Sequence, residues 1–130
     1  MDRKFKKFTL EDANALLPRL IDVTERTKNQ LESLRQKQST NYVNNDNLSV
    51  KEIQNEIDAL LENWVCTVTS FGVIPKGFFT CDFISPNPDT YFCWSQGETS
   101  VIYTHKIYET FKDRVVIEEP KFQGFDFSVN

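Results

Sequence analysis

Two apolar stripes of helical period, separated by a polar connector and followed by a change to period two, constrain this chain more than any other feature. Leu10, Ala13, Leu17, Leu20, Thr24, Thr27, Leu31 and Leu34 recur at spacings of three and four, which collects them on one side of an α-helix. Thr9 stands where an N-cap accepts from an early backbone N–H, and Glu11 and Asp12 favour the positive helix end. A second stripe runs Val50, Ile53, Ile57, Leu60, Leu61, Trp64, Val65, Val68 and Phe71, and Gly72 suits a left-handed cap at its end. Ser49 and Glu52 have the spacing of a capping box. Between the stripes, Asn41, Asn44, Asn45 and Asn47 mark a turn-forming connector over 39–48. The spacing predicts helices over 9–38 and 49–71, folded as an antiparallel hairpin. Pro18 lacks the N–H that would reach Asn14. It either bends the first helix over 14–17 or opens a longer helix after a short leading one.

Beyond Gly72, β-branched and aromatic residues alternate with polar ones. The runs 78–84, 90–95 and 101–106 are separated by Ser85-Pro86-Asn87-Pro88-Asp89 and Gln96-Gly97-Glu98, which predicts a three-stranded antiparallel meander. If the first loop is symmetric about Asn87, Cys81 faces Cys93 and Phe83 faces Tyr91, on an apolar side that covers the helices. Residues 107–130 read as an irregular docked tail, rather than a free partner-binding motif, in which Phe111, Val115, Val116 and Ile117 pack while Phe122, Phe125 and Phe127 are spaced by polar residues. The fold class is therefore α+β, a long helical hairpin with a small sheet. At 130 residues and 39% hydrophobic content it forms one domain, 1–130.

Charge and cysteine usage narrow the function classes. A net charge of −4 disfavours a nucleic-acid binder. Cys66, Cys81 and Cys93 contain no CxxC pair, so neither a disulfide framework nor a zinc knuckle is indicated, and a reducing cytoplasm is expected. The opening Met-Asp-Arg-Lys-Phe-Lys-Lys does not read as a secretory signal, and the uncharged run 63–75 is too short to span a bilayer. No phosphate-binding loop stands among the four glycines. A metal site assembled from His105, Asp82, Glu98 and a cysteine is weakly supported, because one histidine and scattered carboxylates lack the paired spacing of a readable metal site, so no cofactor and no metal are expected.

His105 is the single histidine and the one side chain whose ordinary titration lies near neutral pH. If Gly97-Glu98 forms a two-residue turn, Trp94 opposes Val101 and Phe92 opposes Tyr103. His105 then joins them with Asp82 on the face opposite the cysteines. Asp82, Trp94, Glu98, Tyr103 and His105, with Arg114 available for an anionic group, are the candidate ligand-binding residues. A slip of one residue would dissolve that cluster. The bland alternative is aromatic packing with a hydrogen-bonded surface histidine.

The segment Phe8-Thr9-Leu10-Glu11-Asp12-Ala13-Asn14-Ala15-Leu16-Leu17-Pro18-Arg19-Leu20, then Asp82-Phe83, Cys93-Trp94-Ser95-Gln96-Gly97-Glu98, Tyr103, His105, Phe111 and Arg114 resemble the bacterial domain of unknown function 2203 family (DUF2203). The resemblance covers residues 5–114. It implies an α+β hairpin-and-sheet domain in bacterial cytoplasm and brings no activity with it. The helices, about 45 and 34 Å long at 1.5 Å per residue, exceed what short strands can cover. A homodimer through the hairpin is the expected assembly, acting as an interaction or small-polar-ligand module. The alternative is an enzyme with His105 as general acid or base beside a carboxylate.

Overall fold

The structure, a computed structural model, describes residues 5–117. Helix α1 spans Leu10–Val43 and α2 spans Asn47–Ser70. Five antiparallel strands follow: β1 Ile74–Gly77, β2 Thr80–Ile84, β3 Thr90–Ser95, β4 Tyr103–Lys106 and β5 Val115–Val116, in spatial order β1-β2-β3-β4-β5. The expected α+β class holds, but the sheet has five strands rather than three. Residues 74–77 add an edge through pairing with β2. Val115 and Val116 leave the supposed tail to pair with β4, after a 3-10 turn at Phe111–Asp113. Phe122, Phe125 and Phe127 lie outside the described residues.

Thr9 caps α1 as anticipated, in a reciprocal box: its hydroxyl accepts from the Asp12 N–H at 3.0 Å, and the Asp12 carboxylate accepts from the Thr9 N–H at 3.2 Å. The helix runs unbroken through Pro18 and on to Val43, past the expected end at 38. Residues 39–43 are polar enough to read as a connector, yet a solvated last turn of helix tolerates polar side chains. Asn44 and Asn45, the latter at φ 59°, make the turn itself. Asp46, not Ser49, caps α2, accepting from the Ser49 N–H at 3.2 Å. A cap three residues upstream recruits Asn47 and Leu48 into the helix. Gly72 adopts φ 87° as expected, and the Lys6 stem packs so close that a Cβ there would lie 2.7 Å from it.

One face of the sheet packs on the hairpin. Cys81, Phe83 and Trp94 meet Phe8, Ala13, Leu17, Leu20, Trp64 and Val68 in a continuous core. Farther along the hairpin a smaller cluster of Leu31, Ile53 and Ile57 continues the seam. Thr24 sits in the seam because its hydroxyl accepts from the Trp64 indole N–H at 2.9 Å, which satisfies both buried groups. The ion pairs on the hairpin, Arg26–Asp22 and Lys28–Glu32, lie within α1. Between the helices Gln38 donates to Gln54 at 2.9 Å.

Asn14 ties helix to sheet. Its Oδ1 accepts from the Val101 N–H at 2.8 Å and its Nδ2 donates to the Val101 carbonyl at 3.3 Å. Val101 is fully buried, so Asn14→Ala strands two backbone groups and is expected to cost about 1–3 kcal/mol. Urea denaturation checks this; an unchanged midpoint would contradict the tie.

Candidate functional site

The outer face of the sheet, turned away from the hairpin, carries the polar chemistry. Asp82 on β2 pairs with Cys93 on β3, Cys93 with Tyr103 on β4, and Tyr91 with His105. Because side chains alternate along a strand, Asp82, Cys93, Tyr91, Tyr103 and His105 share this face. Phe92 points inward between Tyr91 and Cys93, so Asp82 and His105 close over β3. His105 Nε2 lies 3.0 Å from Asp82 Oδ1, and both side chains are 2% exposed. The Tyr91 ring stands edge-on to the imidazole at 5.9 Å.

The expected registers are both off by one residue. Cys81 faces Trp94 rather than Cys93, and Phe83 faces Phe92 rather than Tyr91. The first loop is not symmetric about Asn87. Ser85 Oγ accepts from the Asn87 N–H at 3.1 Å and the Thr90 N–H donates to the Asn87 carbonyl at 3.1 Å, so Ile84 pairs with Tyr91. In the second hairpin the turn closes from the Glu98 N–H to the Ser95 carbonyl at 3.0 Å, and Thr104 rather than Tyr103 opposes Phe92. Trp94 consequently belongs to the helix-facing core, where its indole donates to the Glu98 carbonyl at 2.9 Å. Cys93 takes its place on the outer face. The histidine is opposite neither cysteine as a pair: it shares a face with Cys93 and is separated by the sheet from Cys81.

Glu98 and Arg114 form a rim beside this centre. The Glu98 carboxylate accepts from the Ser95 N–H at 2.9 Å, which holds the turn, and takes both guanidinium arms of Arg114. That guanidinium lies 3.9 Å from the Tyr103 ring centroid and 4.0 Å from that of Phe111. Glu98 binds its proton-rich partner tightly enough to raise the Arg114 pKa further. Asp82, Tyr103 and His105 are thus together, Glu98 and Arg114 flank them as an ion pair, and Trp94 is apart. Cys93 and Tyr91, expected on the apolar side that covers the helices because both read as packing residues, lie instead on the outer face, and only the register distinguishes an outer cysteine from an inner one. A cleft of about 600 Å³ lined by Lys6, Lys7, Asp12, Arg19 and Phe71 lies elsewhere, at the start of α1.

Burial sets the thiol chemistry. It pushes Cys93 up to about 12, the Asp82 charge adding to the effect and Arg114 opposing it. Cys81 is raised by burial and then by the same carboxylate. Both remain protonated and unreactive while Cys66 is exposed. An aromatic disulfide reagent at mildly alkaline pH is therefore expected to label one thiol in the native chain and all three after unfolding. Unfolded thiols ionise at about 8.5, so the unfolded state binds fewer protons than the native state above that pH. The stabilising contribution is full below it and is lost as pH rises toward the native values. Rapid labelling of all three native thiols would contradict the burial.

No curated protein and no solved structure matches the chain significantly. A family model described as an uncharacterized conserved protein (DUF2203) matches residues 6–117, from the segment before α1 through β5. By that span, which takes in both arms of the hairpin and the whole sheet, the chain belongs to the DUF2203 family.

Proposed function

We propose that the chain is a non-enzymatic binding module that pairs with a second copy through the outer half of its hairpin and recognises a small polar ligand or a protein partner on its outer sheet face. Tyr42, Val43 and Leu48, which are 69%, 76% and 70% exposed at the hairpin tip, carry this reading. Helix α1, with 34 residues, extends about 51 Å, whereas the longest strand, with six, covers about 20 Å. The sheet therefore leaves the tip uncovered, and large apolar side chains exposed there favour association.

Charge supports a second copy as the occupant. Residues 1–38 carry nine basic and six acidic side chains, and residues 39–72 carry one basic and five acidic. Antiparallel pairing of two hairpins sets α1 of each against α2 of the other, which brings unlike charge together across a two-fold axis. No helix among the described residues is long and apolar enough to cross a membrane. The three free cysteines suit a reducing compartment, and on this reading the module works in bacterial cytoplasm.

Catalysis by His105 has the contact it needs, Nε2 to Asp82 at 3.0 Å. It lacks access, because both side chains are sealed and both ring nitrogens are engaged, Nε2 by Asp82 and Nδ1 by the Lys106 carbonyl. Sedimentation velocity at micromolar concentration is expected to show a dimer, with Val43→Asp or Leu48→Asp weakening it more than tenfold while circular dichroism stays unchanged. A wild-type chain that sediments as a monomer throughout would overturn the assembly.

A further inference from the structure

The surroundings of His105 leave one positive charge unaccounted for. Its Nδ1 lies 2.7 Å from the Lys106 carbonyl oxygen, which can only accept, so Nδ1 carries the proton. In a neutral imidazole Nε2 then presents a lone pair, and that lone pair faces the Asp82 carboxylate, itself an acceptor, at 3.0 Å. Two acceptors at this distance need either a proton or a metal cation between them. Asp82 Oδ2 is buried and has no hydrogen-bond partner among the described residues. The thiol of Cys93 completes the group: one donor atom from each of Asp82, Cys93 and His105 lies within 4.8 Å of the others.

We propose that Asp82, Cys93 and His105 form a binding site for a single borderline-soft divalent transition-metal ion of the zinc type, held by a carboxylate oxygen, Cys93 Sγ and His105 Nε2. One sulfur, one imidazole nitrogen and one carboxylate oxygen are the donors such an ion takes, whereas magnesium and calcium require oxygen. Bonds of about 2.0–2.3 Å in a tetrahedron separate donor atoms by roughly 3.3–3.8 Å, within small side-chain adjustments of the observed cluster. The Lys106 carbonyl supplies the outer hydrogen bond that metal-ligating histidines characteristically make. On binding, the Cys93 thiol proton leaves to water, and carboxylate and thiolate together neutralise the dication. Arg114, the nearby cation, is already neutralised by Glu98. Three adjacent strands contribute one ligand each, so the ion would pin β2, β3 and β4 together. This site does not depend on the proposed assembly.

The test uses the full chain carrying Cys66→Ser, which removes the exposed thiol, titrated anaerobically with Co2+ alone. The expected result is one equivalent bound, with thiolate-to-cobalt charge-transfer absorption and the intense visible bands of a tetrahedral centre. Cys93→Ser should abolish the charge-transfer band, Cys81→Ser should leave it intact, and Asp82→Asn or His105→Gln should weaken binding more than tenfold. If either of the last two variants loses helical circular dichroism, the near-isosteric pair Cys93→Ser and Cys81→Ser decides. Absence of uptake by the folded chain, a band that survives Cys93→Ser, or uptake without a charge-transfer band overturns the proposal. In those cases a proton, shared as an imidazolium–carboxylate pair, supplies the missing charge.

Discussion

Alternation along β2, β3 and β4 is the constraint on which the rest of this molecule depends. A strand offers each side chain to one face or the other, and a small α+β domain has one face that meets helices and one that does not. Cys81, Phe83 and Trp94 spend their apolar surface on the hairpin. Asp82, Cys93 and His105, each a single position away from a core residue or from its neighbour, are thereby driven to the other side. The polar centre is not an ornament on a finished fold; it is the complement of the core.

That centre is held at an energetic disadvantage. A buried carboxylate with one oxygen unpartnered among the described residues costs free energy that apolar residues of similar volume would not incur. The surroundings compensate in part: the Lys106 carbonyl orients the imidazole, the Tyr91 ring packs against it, and the Glu98–Arg114 pair braces the adjacent turn while stacking on Tyr103 and Phe111. Orientation of this kind is what a site for a bound cation requires, since its donors must point inward before the ion arrives.

The hairpin was legible from sequence because helical period repeats over many residues and a local error does not propagate. Thr9 and Gly72 mark its outer ends as their chemistry demands. Its inner turn was misplaced because Asn, Ser and Asp serve equally well as caps, turn residues or solvated helix positions, and the sequence alone does not rank Asp46 above Ser49. The sheet was less readable. Strand register follows from loop geometry, and the Ser85–Asn87 and Ser95–Glu98 bonds that set it involve side-chain and backbone choices that composition does not reveal. Each hairpin is displaced by one residue from the simplest symmetric pairing. The two displacements offset, so Asp82, Tyr103 and His105 still share a face, while β3 alone is inverted: Trp94 goes inward and Cys93 outward. Two short strands at the sheet edges, β1 and β5, carried too little period-two signal to be found.

Because His105 is the single histidine, its ring protons report the register without ambiguity. Nuclear Overhauser spectroscopy on the full chain tests the arrangement most directly. Cross-peaks are expected from the His105 ring to the Tyr91 ring and to the Cys93 β-protons. Cross-peaks from that ring to the Phe92 or Trp94 side chains instead would place β3 the other way up and contradict the polar centre altogether.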